Sequence, residues 1–166
     1  LGSDIINHIF QDESGYIWLS TQGGGVARFD GTHFTSYKRA EGLAGNDVTW
    51  VTEDKQHHIW IATAEGASVF NGQSFTNYQA KEGLTDGVVY CINTAVGGSV
   101  WLGTETAGAK VWNGKGFTTP AGLADKEVYT IAEHNDGTLF FGTNTGVYKR
   151  QNGRITHFNL GEDLNS

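Results

Sequence analysis

The side chains that could carry out chemistry are few and widely spaced along this chain. The only cysteine, Cys91, cannot form an intrachain disulfide or a zinc site made of cysteines. Among the six histidines, His57 and His58 are adjacent, and adjacent residues of a strand point to opposite sides. The others are His8, His33, His134 and His157. We therefore predict no catalytic residue, no metal site and no cofactor.

Acidic and glycine-rich segments also favour turns over chemistry. The pairs Asp12-Glu13 and Glu53-Asp54 fall in predicted turns, where aspartate suits the geometry, and neither has the spaced oxygen ligands of a calcium loop. The run QGGG (22–25) could be read as a phosphate-binding loop. Such a loop opens a helix, however, and here the β-prone segment VARFDG follows. We interpret the run as a turn that needs one glycine and carries two extra ones, Gly23 and Gly24.

Composition limits the classes of protein that this chain can belong to. Its 166 residues carry 11 basic and 18 acidic side chains, a net charge of −7, which argues against unspecific nucleic-acid binding. No apolar run approaches the roughly 18 residues of a membrane span. The 24 glycines with one proline indicate many tight turns. Because methionine is absent, we expect a piece or a processed form of a longer protein.

The chain repeats one unit four times. Its anchor is a leucine that recurs at intervals of 42, 41, 39 and 41 residues, at Leu1, Leu43, Leu84, Leu123 and Leu164. Each unit holds four short β-prone runs separated by turn signals, and a DG or NG pair between the last two predicts a type I′ hairpin. Four strands in about 40 residues predict an all-β propeller with four four-stranded blades. We place the blades at about 1–42, 43–83, 84–122 and 123–163, with 164–166 starting a further repeat.

One aromatic residue recurs at the same place in the second strand of each unit, within IWLST, IWIAT, VWLGT and LFFGT. A large ring at this position would fill the space between neighbouring blades. We therefore assign a structural role to Trp18, Trp60, Trp101 and Phe140.

Candidate ligand-binding residues are those that differ between copies at one position. In a propeller, the links between blades and the turns after the second strands share one face, and we expect the ligand there. The hairpin face varies little between copies and suits a structural role. On the first strands, two successive positions vary most. We name Asn7, His8, Trp50, Tyr90 and Tyr129 as candidates, with an unmatched Trp50 able either to stack on a sugar ring or to fill an interblade gap.

The repeats resemble those of the two-component regulator propeller family. The segments that carry the resemblance are GYIWLSTQGGGVARFDG (15–31), FTSYKRAEGL (34–43) and GLAGNDVTWVTED (42–54). The resemblance implies a periplasmic or extracellular sensory region, of the kind found in hybrid histidine kinases that often respond to carbohydrate fragments. It also implies an oligosaccharide ligand, and no kinase motif lies in this chain.

Several alternatives stay open at this point. The four blades could close alone, pair with a second chain into an eight-bladed ring, or form an arc held by neighbours. In place of a sensor, the propeller could be a structural or oligomerisation module without a small ligand. An enzyme related to the streptogramin lyases is a third reading, which the single proline and the scattered histidines disfavour.

Overall fold

The computed structural model describes residues 2–158 as an all-β propeller of four antiparallel sheets. Leu1, Leu164 and the predicted start of a further repeat lie outside the described residues. The first blade contains β1 (Ile6–Gln11), β2 (Ile17–Thr21), β3 (Gly25–Phe29) and β4 (Phe34–Tyr37). The second contains β5 (Val48–Glu53), β6 (Ile59–Thr63), β7 (Gly66–Phe70) and β8 (Phe75–Tyr78). The third contains β9 (Val89–Thr94), β10 (Val100–Thr104), β11 (Ala109–Trp112) and β12 (Phe117–Thr118). The fourth contains β13 (Val128–Glu133), β14 (Leu139–Thr143), β15 (Gly146–Gln151) and β16 (Arg154–Phe158).

The blades form an open arc. In every sheet the strands lie in chain order, and the innermost strands β1, β5, β9 and β13 pack side by side in that sequence. Within residues 2–158, β1 and β13 do not pack together as the other neighbouring inner strands do. The four blades therefore do not close into a ring alone. Two single-turn 3₁₀ helices, Arg39–Glu41 and Ala80–Glu82, lie in the first two links between blades.

In each of the first three blades the repeated tryptophan packs, as a knob, into the apolar face of the next blade. Trp18 is 1% exposed and lies in one cluster with residues of the second blade, namely Val48, Val51, Ile59, Ile61 and Phe70. Trp60 packs in the same way against the third blade, and Trp101 against the fourth. These three positions confirm the predicted packing role, because the rings fill the space between blades. Phe140 has no later blade within the described residues and is half-buried.

A buried carboxylate holds the first two knobs in place. The indole Nε1 of Trp18 donates to Asp12 Oδ2 at 2.8 Å, while Asp12 Oδ1 accepts from the backbone N–H of Tyr16. Asp54 does the same for Trp60, again at 2.8 Å. The turn aspartates thus do more than shape a turn, since each satisfies an indole N–H that would otherwise be buried without a partner.

In the third and fourth blades the aspartate–tryptophan pair is replaced, and the acceptor changes together with the donor. Ala95 stands where the first blades have aspartate, and the Trp101 indole donates instead to Ser99 Oγ at 3.0 Å. In the fourth blade the knob is Phe140, which has no N–H to satisfy, and His134 occupies the aspartate position. The acceptor is therefore kept wherever the knob can donate a hydrogen bond.

All four predicted hairpins are present, but the predicted type I′ turn is right for one blade and wrong for three. Asn152 and Gly153 both have positive φ, at 51° and 80°, and form the two-residue loop that a type I′ turn requires. In the other blades four residues separate the strands and only the glycine of the pair has positive φ. There the Asp or Asn side chain folds back as an Asx turn: Asp30 Oδ1 accepts from the backbone N–H groups of Thr32 and His33.

The glycine run QGGG is a turn, as the sequence predicted, and the structure accounts for its extra glycines. Gly25 is the required residue, because its φ is +79° and a Cβ there would lie 2.1 Å from the Tyr37 carbonyl oxygen. A Cβ on Gly24 would lie 2.6 Å from the carbonyl carbon of Gly2. Gly23 has a φ of +70°. Gly24 therefore lets residues 2–3 pass directly over the turn, whereas Gly23 serves its positive φ.

Truncation of a knob tests the interblade core. We expect Trp60→Ala to lower the free energy of unfolding by about 3–5 kcal/mol, because the ring is 2% exposed and packs against the apolar residues of the third blade. Phe140→Ala is the matched control, since its ring is only partly buried, and it should cost less. Urea unfolding followed by circular dichroism measures both, and equal losses would contradict the assignment of Trp60 to the core.

Removal of the acceptor tests the hydrogen bond separately from the ring. Asp54→Ala should lower the free energy of unfolding by about 1–3 kcal/mol, because the indole N–H of Trp60 is left buried without a partner. Asp125→Ala, on an exposed side chain, is the control. Adding Trp60→Phe to Asp54→Ala removes the donor, so the double variant should show less than the sum of the two single losses. A purely additive result would refute the coupling.

Candidate functional site

The links between blades and the turns after the second strands lie on one face, as predicted. In every blade, the residue after the second strand donates its backbone N–H to the carbonyl oxygen of the residue that directly precedes the first strand. These bonds run from Gln22 to Ile5, Ala64 to Asp47, Glu105 to Val88 and Asn144 to Glu127, at 2.9–3.1 Å. We call this side the loop face and the opposite side, with the hairpins at Asp30-Gly31 and its equivalents, the hairpin face.

The first variable position of the inner strands has two uses. Asn7 Nδ2 donates to the Val48 carbonyl oxygen at 2.8 Å, and Thr49 Oγ1 donates to the Val89 carbonyl oxygen at 2.6 Å. Both side chains therefore tie one blade to the next. Tyr90 and Tyr129 occupy the same position in the third and fourth blades, and their rings pack on one another. Asn7, a predicted ligand residue, thus has an interblade hydrogen bond, whereas the tyrosines are turned to other contacts.

Tyr90 and Tyr129 lie together with two glutamates, and we call these four residues the tyrosine patch. The ring centroids are 5.3 Å apart at an interplanar angle of 54°, and Tyr129 is 46% exposed. The Tyr129 hydroxyl donates to Glu127 Oε2 at 2.9 Å, and this bond raises the pKa of Tyr129. Burial, reinforced by the carboxylates of Glu105 and Glu127, raises the pKa of Tyr90. Both phenols therefore remain protonated donors at neutral pH.

His8 and Trp50 form a second pair on the inner strands. Their rings stack at 3.8 Å between centroids with an interplanar angle of 20°. Trp50 also packs against the apolar clusters of the later blades. Burial lowers the pKa of His8, so the imidazole is neutral at pH 7. One face of Trp50 is thus covered by His8, and the arrangement agrees with the gap-filling role that the sequence left open.

Cys91 takes the same position as His8 and Trp50 in the third blade. Its side chain is buried in the cluster that holds Trp101, and burial raises the pKa of its thiol to about 12. A thiol of this kind is not a nucleophile at neutral pH.

A cavity lies on the hairpin face, where the sequence predicted only a structural role. It has a volume of about 720 Å³ and separates the second and third blades. Val69 lines it, whereas at the same place in the first blade Arg28 lies over the ring of Tyr16 at 4.5 Å. An alignment of the β3 sequence with the β7 sequence would have shown that a long side chain, Arg28, is replaced by a short one, Val69.

Most polar atoms in this cavity already have partners in the protein. Both oxygens of Asp54 are engaged, by Trp60 and by the backbone N–H groups of Gln56 and His58. The Oδ1 atoms of Asn71 and Asn113 accept from their own turns. The rings of Tyr78 and Trp112 pack on one another at 5.0 Å. The cavity therefore offers fewer ready contacts to a ligand than its volume suggests.

Residues 2–158 contain no group of histidine, cysteine, aspartate and glutamate side chains arranged to hold a metal ion. His57 instead takes a φ of 62° where the other three blades have glycine, and its Nδ1 lies 3.0 Å from Glu53 Oε1. In the same part of the chain, no helix has the length and apolar character needed to cross a membrane.

Solved structures share this fold. The chain superposes on a structure described as the extracellular domain of a hybrid two component system from B. thetaiotaomicron, with a TM-score of 0.76, 21% identity and 100% of this chain covered. A second such domain from the same organism gives 0.78, 18% and 96%. The chain spans 23% and 24% of those two chains. It also matches 59% of an inactive virginiamycin B lyase from Staphylococcus aureus, with a TM-score of 0.73 and 17% identity over 98% of this chain.

Comparison of the sequence with family models supports the resemblance stated above. No curated protein matches the chain. The family model described as two component regulator propeller matches residues 1–23, 42–65 and 122–145, which are the beginnings of the first, second and fourth repeats. The family model therefore confirms the resemblance over parts of three of the four repeats.

Proposed function

We propose that the chain is a ligand-sensing propeller segment from the periplasmic or extracellular region of a bacterial two-component sensor, and that its ligand is a carbohydrate. The matched repeats and the extracellular origin of two similar structures support the sensor assignment. The observation that carries the ligand assignment is the tyrosine patch on the inner strands. We propose nothing about a kinase or any other partner of such a sensor.

The tyrosine patch has the chemistry that a sugar needs. Two aromatic rings at 5.3 Å offer apolar faces to the C–H side of a sugar ring, and their hydroxyls offer donors. The carboxylates of Glu105 and Glu127 accept hydrogen bonds from sugar hydroxyls, and such charged acceptors form the stronger bonds. The first two blades place Asn7 and Thr49 at the tyrosine position, so the aromatic surface is confined to one side of the arc.

The site is prepared before a ligand arrives. Tyr129 is fixed by its bond to Glu127, and Glu127 itself lies in the link between blades, whose backbone is hydrogen-bonded to Asn144. A ring held in this way loses little side-chain freedom on binding, which favours affinity. His8 and Trp50 lie on neighbouring inner strands and would extend the aromatic surface toward the first blades.

Binding of oligosaccharides to variants tests the proposal. The wild-type chain should bind at least one member of a panel of short xylo-, gluco-, manno- and galacto-oligosaccharides in isothermal titration calorimetry. Tyr129→Ala should weaken that binding at least tenfold, because it removes an exposed ring that the fold does not need. Tyr129→Phe keeps the ring and should lose only the part of the affinity that depends on the hydroxyl.

Two further variants locate the site. Trp50→Ala with folding intact should weaken binding if the surface extends to the His8–Trp50 pair. Trp112→Phe, in the cavity on the hairpin face, should leave the affinity unchanged. A panel without any binder would refute the carbohydrate assignment and favour a structural module. Loss of affinity in Trp112→Phe but not in Tyr129→Ala would move the site to the hairpin face.

A further inference from the structure

The third blade lacks a carboxylate that the first two blades place beside their knobs. In the second blade, Asp54 accepts hydrogen bonds from the backbone N–H of His58 and from the indole of Trp60. Ala95 stands at this place in the third blade, and its methyl group accepts no hydrogen bond. The backbone N–H of Ser99, which is the equivalent of His58, therefore has no aspartate to meet.

An arginine faces the same place from the fourth blade. In the second and third blades its position holds an aromatic residue, Phe70 or Trp112, which packs on the knob of the preceding blade at 6.1 Å between ring centroids. The register of the strands puts Arg150 at this position in the fourth blade. Its guanidinium lies 5.2 Å from the centroid of the Trp101 ring. The interface between the third and fourth blades has thus lost a negative charge and gained a positive one.

A further cavity, of about 610 Å³, opens beside these residues between the third and fourth blades. Within residues 2–158, no aspartate or glutamate lines it, although the chain carries 18 such residues. Two cations line it, Arg150 and Arg154, and Val111, Pro120 and Ile155 add apolar surface. The cavity therefore suits an anion with an apolar body, in a chain whose net charge is −7.

A smaller cavity, of about 380 Å³, adjoins Ala95 and shares Arg150 with the first. Glu133 and Asp136 line it, and their carboxylates accept hydrogen bonds from backbone N–H groups. Their charge disfavours a further anion in this smaller space. The body of an anionic ligand therefore belongs in the larger cavity, with its charged end at Ser99, which lines both cavities.

We propose that the interface between the third and fourth blades binds a small organic carboxylate. The carboxylate takes the place of the missing aspartate, where it accepts from the backbone N–H of Ser99 and pairs with the guanidinium of Arg150. The body of the ligand packs on Val111 and Ile155. This site is built from two adjoining blades and is separate from the tyrosine patch on the inner strands.

Titration of the ¹⁵N-labelled chain with two carboxylates, followed by NMR, tests the site. Acetate corresponds to the free side chain of aspartate, and benzoate adds an apolar body. Both should shift the signals of the Ser99 amide and the Trp101 indole in a saturable way, and benzoate should bind more tightly because its ring covers Val111 and Ile155. Sodium chloride at the same ionic strength should leave these signals in place. Absence of saturable shifts with benzoate would overturn the site, and equally tight binding of phosphate or sulfate would overturn the carboxylate class.

Ala95→Asp supplies the carboxylate from the chain itself. The variant recreates the arrangement at Asp12 and Asp54, so it should have an equal or higher melting temperature. Its own carboxylate should occupy the place of the ligand and weaken benzoate binding by about tenfold or more. Wild-type affinity in a folded Ala95→Asp chain would show that benzoate binds elsewhere and would refute the proposal.

Removal of the guanidinium tests the second contact. Arg150→Gln should weaken benzoate binding by about tenfold or more, because a charge-assisted pair is lost, and Arg150→Lys should keep part of the affinity. Arg28→Gln is the matched control, since it removes the same charge beside a knob whose aspartate, Asp12, is present. It should leave the affinity unchanged, and equal losses in Arg28→Gln and Arg150→Gln would contradict a local site. The wild-type titration decides alone if a variant does not fold.

Discussion

Burial of one indole ring between each two neighbouring blades is the interaction on which the rest of this structure depends. A four-stranded sheet of this size has too little apolar surface of its own to be stable, and it gains a core only where a neighbour covers it. Trp18, Trp60 and Trp101 each provide that cover, and a nearby acceptor removes the cost of the buried N–H. The strands, links and turns serve to bring each ring to the next face.

The direction of this contact explains why the two ends of the arc differ. Each knob points toward the following blade, so within residues 2–158 the receiving face of the first blade has no knob and the Phe140 ring of the fourth blade has no receiving face. Asn7 and Thr49 run the same way, since each donates to the carbonyl of the following blade. An array built from such contacts has a polarity, and like ends do not fit one another.

Much of the fold could be predicted because the same sequence pattern occurs four times in the chain. The four blades, the strand content and the role of the repeated aromatic follow from spacing alone. The turn conformation at Asp30-Gly31 could not, since loop length decides between a type I′ and an Asx turn and strand ends are set by pairing. The candidate site was harder to predict than the fold. Tyr90 and Tyr129 were found as departures from the repeat, but their grouping with Glu105 and Glu127 depends on links that vary between blades, and the cavity arises from a missing arginine.

The forward direction of the knobs has a consequence for synthesis on the ribosome. Each tryptophan is made about 30 residues before the inner strand that will cover it. A growing chain therefore always displays one uncovered aromatic ring, on its most recent blade, while every earlier ring is already enclosed. Each blade therefore gains its full stability only when the following blade has been made. The aromatic surface that is open to aggregation stays about one ring in size and is always on the most recent blade.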